Sequence, residues 1–213
     1  MQILDDKVMK DVIKALSNMK NEANLVLFTK EDDCHLCKET HQLMTELTTA
    51  NPLVKLQTFD FDKDKAEVEK YNIDKVPALV VMDEKDRGIR LFGIPSGYEF
   101  SSLLSAILMV STGITKLKDD TKKYLDSLEE DVHLQVFVTP TCPHCPPAVI
   151  LAHQMAYYSD KVRADMVEVT EFPHLGDKYS VAGVPRTVVN EDWFQEGAAP
   201  ESYIIEKIKE SVQ

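Results

Sequence analysis

No cysteine in this chain stands outside two C-x-x-C pairs, Cys34/Cys37 and Cys142/Cys145, so none is left over for a structural bridge. Cysteines used in this way inside a cell are usually catalytic rather than structural. Positive charge is also in short supply. With 24 Lys and Arg against 36 Asp and Glu, the net charge is −12, which argues against nucleic acid or an anionic membrane surface as a partner. Long apolar runs are missing too: the longest, Leu103 to Val110, contains Ser105 and falls far short of the roughly 20 residues a bilayer span needs. Residues 1–20 interleave Asp5, Asp6, Lys7, Lys10, Asp11 and Lys14 with apolar positions, unlike a secretory leader. These absences predict a soluble, cytoplasmic protein. What is present, 44% hydrophobic and 28% charged residues over 213 positions, leaves room for two globular domains of about 100 residues each.

The apolar periodicity gives the order of elements. Val8, Met9, Val12, Ile13, Leu16 and Met19 recur at helical spacing, and Asn24 to Thr29 reads as a short buried strand. A helix is expected from about Cys34 to Thr49, a strand over Val54–Phe59 and a short charged helix over Lys63–Tyr71. Strands at Ala78–Met82 and Gly88–Phe92 flank a polar turn, and Ser96-Gly97-x-Glu99 caps a helix reaching about Val110. After a connector at Gly113–Lys118 the order begins again. Asp120–Leu128 is helical, Val132–Val138 a strand, Cys142–Tyr158 a helix and Val162–Val169 a strand. Phe172–Tyr179 is a short helix or turn, Arg186–Asn190 and Asp192–Gln195 form a hairpin, and Pro200 opens a closing helix.

The second half repeats the first. Cys34, Cys37, Tyr71, Val76 and Pro77 correspond to Cys142, Cys145, Tyr179, Val184 and Pro185 at a constant shift of 108 residues. A period this long marks duplicated domains, since solenoid repeats run at about 20–50 residues. The expected division is residues 1–117, carrying Cys34/Cys37, and 118–213, carrying Cys142/Cys145.

Each pair stands at a strand-to-helix turn. Free N–H groups and the positive end of the helix dipole favour an anion there, which lowers a cysteine pKa and populates thiolate. A second cysteine three residues on can close a small disulfide ring. The Val-Pro dipeptides precede β-rich runs, where a proline donates no ladder hydrogen bond. Such a position admits a cis peptide, and the dipeptide recurs at the same distance behind both C-x-x-C pairs. Zinc ribbons also use two C-x-x-C pairs, typically about 15–20 residues apart; here 104 residues separate Cys37 from Cys142.

A C-x-x-C at a strand-to-helix turn, followed after about 40 residues by Val-Pro and a hairpin, resembles the thioredoxin fold. Two such units resemble the tandem protein disulfide oxidoreductases, the glutaredoxin-like proteins found largely in thermophiles. Cys142-Pro-His-Cys-Pro-Pro-Ala-Val149, Gly183-Val-Pro185, Glu196-Gly-Ala-x-Pro-Glu201, Asp86-Arg-Gly-Ile-Arg90 and Gly93-x-Pro-x-Gly97 carry the resemblance. It implies an α/β chain of two tandem thioredoxin-like domains, each a central mixed sheet flanked by helices, with both prolines cis and no cofactor beyond redox-active disulfides. By the same resemblance Cys142 and Cys34 attack, Cys145 and Cys37 resolve, and Val184, Pro185, Val76 and Pro77 face an extended protein disulfide substrate.

The chain departs from thioredoxin and glutaredoxin proper. Thioredoxins have an aspartate six residues before the first cysteine and a tryptophan just before it. Here those positions hold Phe28 and Val136, and Asp33 and Thr141. The Gly-Gly pair and threonine of glutaredoxins are absent, which disfavours glutathione as obligate partner. The two sites should also differ. His144 with Pro143 lies between the second pair, where a positive imidazole favours thiolate and a more oxidising disulfide. His35 follows Cys34, but Glu31, Asp32 and Asp33 precede it, and neighbouring carboxylates disfavour thiolate. The second site is therefore expected to dominate. Pro146 and Pro147 are expected to kink their helix. His41 and His153 are read as packing or surface residues, Trp193 as a packing aromatic, and Arg186 as either solvated or facing the thiolate.

The reading is a protein disulfide oxidoreductase. A second enzyme reading is an electron relay from a flavin-dependent, thioredoxin-reductase-like reductant to a peroxiredoxin-type peroxidase. The non-enzymatic reading is a metal-binding or holdase-like module.

Overall fold

The computed structural model describes residues 2–212. The first half contains α1 (Asp6–Leu16), β1 (Ala23–Thr29), α2 (Cys37–Ala50), β2 (Val54–Asp60), α3 (Lys65–Lys70), β3 (Ala78–Met82) and β4 (Ile89–Phe92). A 3-10 turn (Gly97–Glu99) then leads into α4 (Phe100–Thr112). The second half contains α5 (Asp119–Asp126), β5 (Val132–Val138), α6 (Cys145–Tyr158), β6 (Val162–Glu168), α7 (Pro173–Lys178), β7 (Arg186–Val189), β8 (Trp193–Glu196) and α8 (Glu201–Ser211).

The eight strands form one sheet in the order β2-β1-β3-β4-β6-β5-β7-β8. Within each half the pairing is the same: a parallel pair, then two antiparallel steps. The chain is therefore two tandem thioredoxin-like units, each with its own mixed four-stranded set. The sets join edge to edge where β4 runs parallel to β6, with Ile89 opposite Ala164 and Phe92 opposite Val167. The central strands are apolar at nearly every position because both faces are covered. On β1, Leu25 and Leu27 face a core shared with α1, α2 and α4, while Val26 and Phe28 face a second core under α3. On β5, Leu134, Val136 and Val138 point to the first core and Phe137 to the second. Tyr71 and Tyr179, both found in the repeat, pack edge-on against Phe28 and tilted against Phe137, with ring centres 5.8 and 5.3 Å apart.

The seam between units also carries charge. Arg90 on β4 reaches Asp86 at 2.6 Å and the Tyr71 carbonyl, while buried Asp165 on β6 accepts from Arg163 at 2.9 Å and contacts His133 at 2.7 Å. Arg163 donates onward to the Asn72 carbonyl of the first unit. The His133 and Arg163 partners hold the Asp165 carboxyl far below the usual carboxylate range, against the opposing effect of its burial. No helix among the described residues is long and apolar enough to cross a membrane.

Several local expectations need correction. The helices start at Cys37 and Cys145, three residues later than the periodicity predicts. The first cysteine of each pair precedes its helix: Cys142 donates to the Thr139 carbonyl and Cys145 to that of Cys142, which closes a turn ahead of the helix. Pro146 and Pro147 thus fall in the first turn of α6, where the N–H they lack has no intrahelical acceptor. The cause of a kink is removed, and α6 runs unbroken to Tyr158. Pro200 caps α8 from outside it rather than opening it. Neither Ser96 nor Glu99 makes a side-chain cap at the start of α4.

Candidate redox sites

Both cysteine pairs sit beyond the C-terminal ends of the central strands, β1 and β5, and both are disulfide-bonded with Cα atoms 5.5 Å apart. Position, not sequence distance alone, separates the roles open to the two sulfurs. Cys37 and Cys145 are buried at the start of their helices, whereas Cys34 is half-exposed and Cys142 is 8% exposed. Attack on an external disulfide suits the outer sulfur and closure of the pair suits the inner one. The Lys30 backbone N–H donates to Cys37 Sγ at 3.4 Å, a bond that would strengthen to a thiolate.

Val76–Pro77 and Val184–Pro185 are cis peptide bonds. Cys142 Sγ lies 3.7 Å from the Val184 carbonyl oxygen, so the second dithiol faces the main chain of a half-exposed residue. Pro185 and Pro77 are both buried, and their carbonyls accept from Gly197 and Gly93 at 2.8 and 2.9 Å. His35 and His144 are exposed beside their pairs, as is Pro143. Glu31, Asp32 and Asp33 are exposed as well, and Glu31 is 3.1 Å from Lys63, which offsets one of the three charges near Cys34. That loop is one residue longer than its counterpart between Val138 and Cys142. The strand position matching Phe28 is consequently Phe137, not Val136.

The first unit contributes directly to the second site. Tyr98 donates its backbone N–H to the Pro140 carbonyl at 2.9 Å, two residues before Cys142. Gly97, at φ +58°, lies so close that an added Cβ would stand 2.2 Å from the same oxygen. Ile94 donates to Glu171 at 2.7 Å, across the seam. Burial pushes the Glu171 carboxyl up to about 7, aided by repulsion from Glu168. The 3-10 turn packs on α6 and carries Glu99 inside, 1% exposed, with Ser102 donating to Oε2 at 2.6 Å and Oε1 without a partner. Burial pushes this carboxyl also to about 7.

Sequence reasoning missed Tyr98, Glu99 and Glu171. The Gly93-x-Pro-x-Gly97 pattern preceding two of them was a signal, but spacing alone assigned Glu99 to a helix cap. His153 is buried, donates from Nε2 to the Arg90 carbonyl at 3.3 Å, and is held down to about 4 by burial. His41 is exposed and Trp193 packs against the core. Arg186 is buried, stacks 3.6 Å from the Phe194 ring and pairs with Glu196 at 2.6 Å. Among the described residues no group of three or more His, Cys, Asp or Glu side chains is placed to hold a metal ion.

Residues 132–210 match a thioredoxin domain family model, Thioredoxin_3. A protein disulfide oxidoreductase from Aeropyrum pernix superposes with a TM-score of 0.91 at 29% identity, covering 98% of this chain and 94% of that one. The chain is a thioredoxin-fold protein. The NTD_N/C domain of alkylhydroperoxide reductase AhpF from Enterococcus faecalis superposes with a TM-score of 0.88 at 25% identity, covering 95% of this chain and 98% of that one. In sequence, the corresponding alkyl hydroperoxide reductase of Staphylococcus aureus is 24% identical over 97% of this chain, which spans 38% of that relative's length.

Proposed function

We propose that the chain catalyses dithiol–disulfide exchange with protein disulfides through both pairs, with the second pair dominant. The observation that carries this reading is the placement of Cys142, its sulfur 3.7 Å from the carbonyl oxygen of half-exposed Val184 and backed by fully buried Cys145. Extended substrate backbone alongside Val184, and alongside Val76 at the first site, is strand addition in its simplest form. In the reducing direction the Cys142 thiolate attacks one sulfur of the substrate disulfide. A Cys142–substrate bond forms, the substrate S–S bond breaks, and the departing thiolate takes a proton. Cys145 then attacks Cys142, releasing the second substrate thiol and leaving the Cys142–Cys145 disulfide. Two electrons pass to the substrate, and no cofactor beyond the cysteine pairs is needed for the exchange itself.

The expected test result is reversible titration of both pairs in defined redox buffers, read by acid quench, alkylation and mass spectrometry. With His144 beside it, the second pair should have the higher potential. A value near roughly −270 mV marks a reductant, and one above about −200 mV an oxidase or isomerase. Failure of either pair to titrate would remove that pair from the reaction, and failure of both would remove the reading.

A second reading is favoured by the near-complete alignment of this chain with part of the Staphylococcus aureus alkyl hydroperoxide reductase. In it, a flavin-dependent disulfide reductase reduces the chain, which in turn reduces a peroxiredoxin-type peroxidase. Fast oxidation of the pre-reduced chain by an oxidised peroxiredoxin, with slow oxidation by unrelated protein disulfides, would select this reading.

A further inference from the structure

The two sites differ in what stands beside them, and the sheet order is the cause. Because β4 pairs with β6, the loop after β4 lies against the loop that leads into Cys142. The counterpart loop after β8 begins at Gly197, where an added Cβ would meet nothing within 4 Å. β8 is a sheet edge, and so is β2 on the flank of the first site. Among the described residues, only the second site therefore receives a wall from a neighbouring unit.

That wall ends in an aromatic residue. Tyr98 is 52% exposed, and its phenol makes no hydrogen bond among the described residues. Its backbone, by contrast, is firmly held. The N–H is bound to Pro140, Gly97 is pressed against the same carbonyl, and Glu99 is buried on the next position. A backbone pinned to the loop that leads into Cys142 and carrying an exposed ring is the arrangement of an interface anchor: tyrosine supplies large contact area with few rotatable bonds to order.

We propose that Tyr98 is a specificity-determining residue of the second site, contacting an apolar side chain next to the cysteine of an extended protein substrate. This rests on the exchange reaction proposed above. The ring belongs to the first unit but selects for Cys142/Cys145, and among the described residues no hydrogen bond ties the second unit to the loop before Cys34.

The test uses two blocked peptide disulfides that differ only in carrying leucine or glycine beside the cysteine. Full-length chains with a single working pair, Cys34→Ser/Cys37→Ser or Cys142→Ser/Cys145→Ser, are pre-reduced and mixed with each peptide under single-turnover conditions. Oxidation of the protein pair to disulfide accompanies reduction of the peptide to two thiols, so electrons balance without a further reagent. Working through the second pair, the chain should prefer the leucine peptide about threefold to tenfold. Tyr98→Ala should erase that preference by lowering the leucine peptide's rate toward the glycine peptide's, and Tyr98→Phe should keep it. The first pair should show no preference in either background. A preference that survives Tyr98→Ala, appears equally at the first pair, or is absent from the start overturns the assignment. An equal fall for both peptides overturns it too, by showing that Tyr98 only supports the Pro140 loop. A chain that oxidises with neither peptide overturns the exchange reaction itself, and this inference with it.

Discussion

Glu99 is an ionisable side chain with one carboxyl oxygen buried and unpaired, and its titration can be read as stability. Burial raises its pKa from 4.5 to about 7, so between these values the folded chain binds the proton that the unfolded chain has released. The contribution of this group is whole below about pH 4.5 and is lost as pH rises through 7. Glu99→Gln removes the titration, and its stability relative to wild type should improve by about 2–3 kcal/mol between pH 5 and 8. Urea denaturation of both proteins at the two pH values measures the difference. His153 titrates in the opposite sense, since burial depresses it to about 4 and its contribution is lost as pH falls, but it is common to both proteins and cancels. A pH-independent difference would show that the Glu99 carboxyl ionises normally in the fold. None of this was legible in the sequence. Ser96-Gly97-x-Glu99 has the form of a cap, and only packing against α6 turns Glu99 inward.

At the scale of elements, the loop from β4 to α4 is set by what it touches in the other unit. Gly97 and Gly197 both adopt left-handed backbone, at φ +58° and +74°, and both should lose roughly 1–2 kcal/mol on substitution by alanine from that alone. Gly97 has the additional contact with the Pro140 carbonyl, backbone that cannot swing aside as a side chain would. Gly97→Ala should therefore be more destabilising than Gly197→Ala by about 1–3 kcal/mol. It should also slow exchange at Cys142 while leaving Cys34 unaffected. Equal denaturation midpoints for the two variants would mean that the loop yields freely. The helix starts illustrate the same limit on sequence reasoning. Periodicity carries α2 and α6 back to the first cysteine, but the Thr139 to Cys145 turn is decided by backbone hydrogen bonds that the apolar pattern does not report.

For the whole molecule, the decisive feature is a sheet without a break between the units. The first core draws Leu43 and Leu103 from one unit and Val149 and Ile208 from the other into one cluster. Arg163 and His153 add hydrogen bonds across the seam, to the Asn72 and Arg90 carbonyls. Units sharing one sheet and one core should unfold together, although duplicated domains on a linker would unfold apart. Trp193, the one tryptophan of the sequence, reports on the second unit, while far-UV circular dichroism reports on both. Their urea transitions should coincide. A circular dichroism transition in two steps, with fluorescence following one of them, would show that the seam is weaker than either unit.

The sequence by itself determined the duplication, the two dithiols, the Val-Pro dipeptides opposite them and nearly all the elements. These depend on local spacing and on apolar periods of about 2 and 3.6 residues, which a chain carries wherever it is placed. Tertiary structure decided that β4 would join β6 and that β8 and β2 would remain edges. It also decided that Gly97 and Tyr98 would meet Pro140, two residues before Cys142, and that Ile94 would meet Glu171 across the seam. The physical reason is that pairing between strand edges uses backbone groups common to every residue. The choice among edges comes from contacts between residues as far apart as Tyr98 and Pro140, and no local pattern records them.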